Sequence, residues 1–230
     1  MKTNAEVYDD VYRRDPTYGG TCPRHAPIIR EILHGFGGRV VIEDPENPPR
    51  DDQRCSYLDV GCGSGAIALE VWRAGHNVFG FDCSQVAIDK LLAEYESIKN
   101  SGYWSFHAVR RDAETFNRRA LVPGGRELPW YGTFDIVGCS DVLEHVESRS
   151  SVIDIAEACI RAARERVVFS VGLRRAERLG HVLHHHVLPP DEWRQIIVGA
   201  YSDAAGITPQ FRDWEENSTY FFVGPGVATD

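Results

Sequence analysis

The chain has 230 residues, 43% hydrophobic and 26% charged, which suits one globular domain with a full hydrophobic core. Its formal charge of −9, from 34 acidic against 25 basic side chains, disfavours a polyanionic partner such as nucleic acid. No early stretch resembles a signal peptide and no apolar run reaches membrane-spanning length, so the expectation is a cytoplasmic protein with no membrane contact.

The pairs Arg110-Arg111, Arg118-Arg119 and Arg174-Arg175 read as solvated faces. Six scattered cysteines, none at C-x-x-C spacing, imply a reduced protein whose thiols pack as small hydrophobes.

Residues 1–54 read as a cap or lid with a linker, and residues 55–230 as one compact unit. The first twenty residues are polar and aromatic with little sustained period. In "PRHAPIIREILHGF", Ile28, Ile29, Ile32, Leu33 and Phe36 fall at helical spacing, and Gly37-Gly38 ends the helix. Glu43 to Arg54 is a charged, Pro-rich loop.

Strand-like runs and amphipathic helices then alternate. "SYLDV" is the first strand, "AIALEVWRAG" a helix, "NVFGFD" the second strand and "SQVAIDKLLAEYESIKN" a helix capped by Ser84. "WSFHAV" and "FDIVGCS" are the third and fourth strands, with a helix expected from Ser151 to Arg164. "RVVFSVG" is the fifth strand, "PPDEWRQIIVGAYSDAA" a helix, and "ITPQFRDW" and "STYFFVG" the last two strands. Alternation of this kind predicts a Rossmann-like α/β fold, with a seven-stranded mostly parallel sheet and helices on both faces. The connection between the last two strands is too short to cross over, so they close the sheet as an antiparallel hairpin.

The glycine loop "LDVGCGSGAIALE" admits two readings. Gly61, Gly63 and Ala66 fit a dinucleotide fingerprint, whereas Gly61, Gly63 and Gly65 form another rhythm with Asp59 ahead of it. Asp82, 21 residues beyond Gly61, can accept from two ribose hydroxyls under either reading. Asp59 is poor company for a pyrophosphate and good company for an ammonium group. Asp112 follows the third strand, and "CSDVLEHV" gives an acidic rim after the fourth. A site ringed by Asp59, Asp82, Asp112 and Asp141 suits a cationic nucleoside without phosphate.

Together these segments resemble the class I methyltransferases that use S-adenosylmethionine, over about Tyr57 to Gly224. "LDVGCGSG" looks like the family's first motif, "GFDCS" like its ribose-binding acid, "RRDAETF" like its adenine-side acid and "FDIVGCSDVLEHV" like its fourth motif. The resemblance implies that Gly61, Gly63 and Gly65 approach the methionine part of the cofactor and that Asp59 helps orient it. It places Asp82 at the ribose, Asp112 and Ala113 at adenine, and Ser140 or Asp141 at the sulfonium, with Cys62 and Cys83 also expected among the cofactor-binding residues. The acceptor expected is a small molecule, methylated on a hydroxyl oxygen.

A hydroxyl nucleophile benefits from a general base. His145 and His186 are the candidates, the latter from the cluster His181, His184, His185 and His186, with Asp141 beside them. "SDVLEHV" also resembles the metal-binding pattern of the ubiquinone-pathway O-methyltransferases, with Asp141 where that group has Glu. On that reading, which is not the favoured one, Asp141, Glu144, His145 and a loop histidine hold a divalent ion. An RNA- or protein-directed enzyme, assisted by such an ion, and a cofactor-binding protein without catalysis are two further possibilities. Tyr8, Tyr12, Tyr18 and His25 belong to a segment expected to fold over the site, as lid or as packing. The sequence says nothing of oligomeric state.

Overall fold

The computed structural model describes residues 3–15, 17–20, 22–36, 55–99, 105–118, 120–121, 127–128, 132–205, 212–216 and 218–226. The Pro-rich loop expected at Glu43–Arg54 lies outside the described residues. In chain order the elements begin with α1 (Asn4–Arg14), α2 (His25–Gly35), β1 (Ser56–Val60), α3 (Ala68–Arg73), β2 (Asn77–Asp82) and α4 (Gln85–Ile98). They continue with β3 (Phe106–Arg110), a 3-10 turn at Ala113–Arg118, β4 (Ala120–Leu121), β5 (Glu127–Leu128) and β6 (Phe134–Ser140). A 3-10 turn at Leu143–His145 then leads to α5 (Arg149–Ala162), β7 (Ala163–Gly172), β8 (Glu177–Arg178) and β9 (His181–Val182). The last elements are α6 (Pro190–Ala205), β10 (Arg212–Glu216) and β11 (Thr219–Pro225).

The main sheet has seven strands in the order β10-β11-β7-β6-β1-β2-β3. Pairings among β3, β2, β1, β6 and β7 are parallel, and β11 pairs antiparallel with both β7 and β10. This is the mostly parallel sheet with a closing hairpin that alternation and the short last connection require.

Strict alternation along the strands divides the core between two faces. Leu58, Val137, Phe169 and Phe222 pack under α5 and α6 with Ile155, Trp193 and Ile197. Their neighbours Tyr57, Ile136, Val168 and Phe221 pack on the other face with Ile28 and Ile32 of α2, Val71 and Trp72 of α3, and Ile88 and Leu91 of α4. Helix α2 is thus part of the layer that covers the sheet. Cys55, Cys62, Cys139 and Cys159 are buried, as small hydrophobes are.

Three local features depart from the sequence reading. The segment with little period forms helix α1, because Val11 and Tyr12 are buried with Tyr8 half-buried beside them, and its start is fixed by a capping box between Thr3 and Glu6. Helix α5 begins two residues early, at Arg149, since Ser148 accepts from the Ser151 amide at 3.0 Å and acts as N-cap; β7 correspondingly begins at Ala163. The stretch after β7, read as a histidine-rich loop, contains the β8–β9 hairpin. Leu179 and Gly180 form its turn at φ 52° and 80°, the left-handed pair that such hairpins need.

From β1 the chain moves outward to β2 and β3, then returns to β6 on the other side of β1. That reversal leaves a crevice beyond the carboxyl ends of β1 and β6. Val60 of β1 opens the glycine loop there, and Ser140 of β6 opens the acidic rim.

Candidate active site

The glycine loop is folded against the end of β2. The amides of Gly61 and Cys62 both donate to the Phe81 carbonyl, at 2.9 and 3.0 Å. Asp82 clamps the loop from the same strand end: one carboxylate oxygen accepts from the Gly63 amide at 3.0 Å, the other from the Ser84 amide at 2.8 Å. Gly61, Gly63 and Gly65 have φ of 70°, 53° and 91°, which L side chains rarely adopt. A Cβ on Gly63 would lie 2.5 Å from the Tyr12 hydroxyl, and one on Gly61 would run into Val142. Gly65 sits behind the loop against Leu91, outside the walls of both cavities described below.

Two cavities meet at this loop. The smaller, about 100 Å³, is walled by Asp82, Cys83, Asp112 and Ala113 on the sheet side and by Tyr8 of α1 on the other. The larger, about 480 Å³, runs past Asp59, Cys62, Gly63 and Ser140 towards the β7–β9 connection. Tyr12, Tyr18, Gly61, Asp141 and His145 belong to both walls and form the junction. Nine of the ten residues expected at the cofactor thus line one chamber or the other; Gly65 supports them from behind.

The amino-terminal segment closes the front. Asp9 of α1 accepts from the Ser84 hydroxyl at 2.6 Å and the Val86 amide at 3.2 Å, so a carboxylate of α1 sits on the positive end of α4. Lys90 donates to the Tyr12 carbonyl, and Ser64 of the glycine loop donates to the Gly19 carbonyl at 2.8 Å. His25 is buried in the wall of the larger cavity, and burial pushes its imidazole down to about 4.

Burial also sets the charge state of the acids. Asp59, 2% exposed, is pushed up to about 7 by desolvation and by the charge of Asp82, against the Tyr57 hydroxyl that donates to it at 3.3 Å. Desolvation likewise raises Asp82 and, more strongly, Glu144. Asp141 holds φ at 53°, a strained value for a side-chain-bearing residue, and desolvation raises it against the pull of Arg24, whose guanidinium lies 3.0 Å from its Oδ2. The other oxygen of Asp141 and the Ser140 hydroxyl are buried without a hydrogen-bond partner among the described residues. A pocket of under-satisfied carboxylates in a dry setting favours a cationic guest.

His145 is held from two sides. Its Nδ1 lies 2.8 Å from the Leu183 carbonyl and 2.6 Å from the Tyr8 hydroxyl. A carbonyl only accepts, so Nδ1 carries the proton and Nε2 is the free lone pair. Burial pushes this imidazole down to about 3, so it is neutral across the working range. The His184 ring meets it edge-on at 4.7 Å between centroids.

Glu144 is fully buried beside them, with one oxygen accepting from the Gly172 amide at 2.6 Å and the other unpartnered among the described residues. Among the described residues, Glu144, His145 and His184 can bring ligand atoms within 4.8 Å of one another.

The loop histidines divide. His184 lines the larger cavity, whereas His186 lines neither wall, and its Nε2 is buried without a partner among the described residues. The reason is local: Glu144's carbonyl takes both the His185 and His186 amides, at 2.7 and 3.1 Å, which folds that end of the loop away from the crevice. Sequence reasoning did not find Arg24, which has no motif around it, and it read Arg174-Arg175 as a solvated face. Arg174, Arg175 and Arg178 all edge the larger cavity.

Strand order, glycine loop and acidic strand ends together define a nucleoside-binding crevice of the class I methyltransferase type. Residues 36–198, more than two thirds of the chain, match the family described as "Methyltransferase domain", and the chain belongs to that family, within the S-adenosylmethionine-dependent class. It is 33% identical over 120 residues to a ubiquinone biosynthesis O-methyltransferase of Ralstonia nicotianae, covering 52% of this chain and 44% of that protein. The corresponding protein of Acinetobacter baumannii is 28% identical over 106 residues, covering 45% and 38%. The chain therefore spans less than half the length of these curated relatives.

Among solved structures, the magnesium protoporphyrin IX methyltransferase of Synechocystis PCC 6803 with bound S-adenosylmethionine superposes with a TM-score of 0.63 at 15% identity, covering 98% of both chains. A structure described under echinomycin biosynthesis gives 0.60 at 18% identity, covering 98% of this chain and 94% of the other. At such identities the likeness is one of fold. Among the described residues no helix is long and apolar enough to cross a membrane.

Proposed function

We propose that this protein transfers the methyl group of S-adenosylmethionine to a hydroxyl oxygen of a small-molecule acceptor. The observation that carries the reading is the junction: Asp141 and His145 line both chambers, where a group passing between them would cross. When bound, S-adenosylmethionine supplies an electrophilic methyl on a sulfonium sulfur. Asp82 receives the ribose hydroxyls while still holding Gly63, Asp112 and Ala113 flank adenine, and Asp59 with the loop around Gly61, Cys62 and Gly63 orients the methionine part. Ser140 and Asp141 face the positive sulfur. A cavity of about 480 Å³ has room for the methionine part and a small acceptor.

His145 takes the acceptor proton through its free Nε2. Its depressed basicity keeps it in the accepting form and also makes it a weak base, so its share falls at the low end of the roughly 10²–10⁴-fold such groups contribute. Alignment at the junction, on the order of 7–11 kcal/mol, is the larger effect. The test is methyl transfer from labelled S-adenosylmethionine to a panel of hydroxylated aromatics, followed by mass. Labelled product in no acceptor class, with the cofactor bound, would leave the cofactor-binding protein without catalysis.

A second reading is favoured by the Glu144, His145 and His184 cluster. The residues fit a divalent ion: Glu144 keeps one buried oxygen unpartnered, and desolvation holds both imidazoles in the neutral, ligating form. Asp141 stands outside the cluster with an oxygen committed to Arg24. Such an ion would lower the pKa of a bound hydroxyl. Exhaustive chelation separates the readings: unchanged turnover supports the histidine base, and loss restored by added Mg²⁺ or Zn²⁺ supports the metal.

A further inference from the structure

We propose that the open end of the larger cavity receives an anionic group of the acceptor, a carboxylate or a phosphate, with Arg174 as its main contact and Arg175 and Arg178 beside it. The proposal rests on the methyltransferase reading and deepens it by naming the acceptor's charge.

The charge balance reverses locally. Across the chain acids outnumber bases 34 to 25, yet the charged residues lining this cavity, histidines aside, are four arginines and two aspartates. Of those two, Asp59 lies buried at the glycine loop, and Asp141 is matched by Arg24 at 3.0 Å. Three arginines remain at the open end. Arg175 has Glu177 at 2.6 Å, and Arg178 has a distant Asp15 at 3.7 Å. The guanidinium of Arg174 has no carboxylate within ion-pair distance among the described residues.

Position assigns this patch to the acceptor rather than to the cofactor. Arg174 follows β7, and β7 lies two strands from β1 in the sheet, a spacing of roughly 10 Å from the strand that opens the glycine loop. Its neighbours in the wall include Ser218 and Thr219 at the start of β11, two further polar side chains. The Arg174 carbonyl accepts from His184 Nδ1, which ties this backbone to the histidine wall at the junction. A planar guanidinium on a fixed backbone suits bidentate recognition of a carboxylate or phosphate, and a basic rim on an acidic protein steers anions to this one mouth.

The test uses the whole protein saturated with S-adenosylhomocysteine and calorimetric titration of matched probes. These are 3,4-dihydroxybenzoate and 3,4-dihydroxycinnamate against their methyl esters, and 4-hydroxyphenyl phosphate against hydroquinone. The expected result is that at least one anion binds about tenfold tighter than its neutral partner. Arg174→Gln should erase that difference, Arg174→Lys should keep part of it, and both should retain wild-type affinity for S-adenosylhomocysteine. Equal binding within every pair, absence of binding included, overturns the proposal. So does an Arg174→Gln variant that loses S-adenosylhomocysteine in parallel, which would give the arginine to the cofactor's own carboxylate. Arg174-dependent, salt-steep binding of an RNA oligonucleotide in place of the probes also overturns it. Failure of the wild type to bind S-adenosylhomocysteine at all would instead remove the underlying reading.

Discussion

Tyr8 and His145, 137 positions apart in the chain, meet at 2.6 Å through the phenol oxygen and Nδ1. The contact ties the amino-terminal helix to the junction, so closing the front of the site and orienting its imidazole are one event. Tyr8→Phe removes that hydrogen bond while Leu183 still fixes the tautomer. The expected loss is about 1 kcal/mol of stability, read by chemical denaturation, with a lowered kcat. Tyr8→Ala also removes a wall of the smaller cavity and should weaken S-adenosylhomocysteine binding, which calorimetry would detect. Unchanged binding in Tyr8→Ala would detach α1 from the cofactor.

Asp82 holds the loop and, on the proposed reading, the ribose. Asp82→Ala leaves the Gly63 and Ser84 amides without their acceptor, so cofactor affinity should fall at least about tenfold. Equilibrium binding of S-adenosylhomocysteine gives the answer, and affinity within twofold of wild type removes Asp82 from the site.

Gly63→Ala meets two penalties that can be separated. The left-handed φ costs roughly 1–2 kcal/mol, and the new Cβ strikes the Tyr12 hydroxyl. Tyr12→Phe removes the struck atom and leaves the backbone cost. A double-mutant cycle on unfolding free energy should therefore show a favourable coupling between the two changes. A purely additive cycle would mean that the two residues do not touch.

Asp59 sets a pH dependence. Its folded value of about 7 stands above the ordinary aspartate value, so between the two the folded chain binds the extra proton. Stability must then fall as pH rises through that window, with the full penalty present above 7. Asp82, Asp141 and Glu144 are also raised and add in the same direction. The depressed His25 and His145 pull the other way below 6.5, so the slope is read as a difference: relative to Asp59→Asn, the unfolding midpoint of the ligand-free wild type should fall from pH 5.5 to pH 8. If Asp59 orients the cofactor's ammonium group, saturating S-adenosylhomocysteine should flatten it too. Scanning calorimetry at several pH values checks both.

For the proposed base, His145→Ala should lower kcat by about a hundredfold with cofactor affinity retained. His184→Ala should lower turnover as well, whereas His186→Ala, outside both cavities, should change it little. Single-turnover kinetics distinguishes these outcomes. Wild-type turnover in His145→Ala would end its role as base.

Much of the fold was legible because strand and helix periods are local. Val60 and Ser140 end short, largely buried runs followed directly by glycine or acidic residues, so the glycine loop and the acidic rim could be placed at one sheet edge from sequence. Helix α1 was not legible, because its buried stripe is aromatic and its partners, Ser84 and His145, lie far along the chain. The site was legible where one residue type does one local job, as with Gly61, Gly63 and Asp82. It was not where two distant segments share a task. Arg24 acquires meaning only beside Asp141, and the choice between His184 and His186 depends on where Glu144 accepts two amides.

Strand β11 lies between β7 and β10 although it follows both in the chain. Until it emerges from the ribosome, β7 presents a bare edge over the length at which Gly172 to Arg166 will later pair. The sheet therefore cannot be completed as it is made, strand by strand. A long-range pairing, exceeded in sequence separation only by that of β6 with β1 among the described strands, comes last, after a wait in which the nascent chain is open to misassociation. Damage to "STYFFVG" would accordingly be felt as failure to mature rather than as a faulty catalyst.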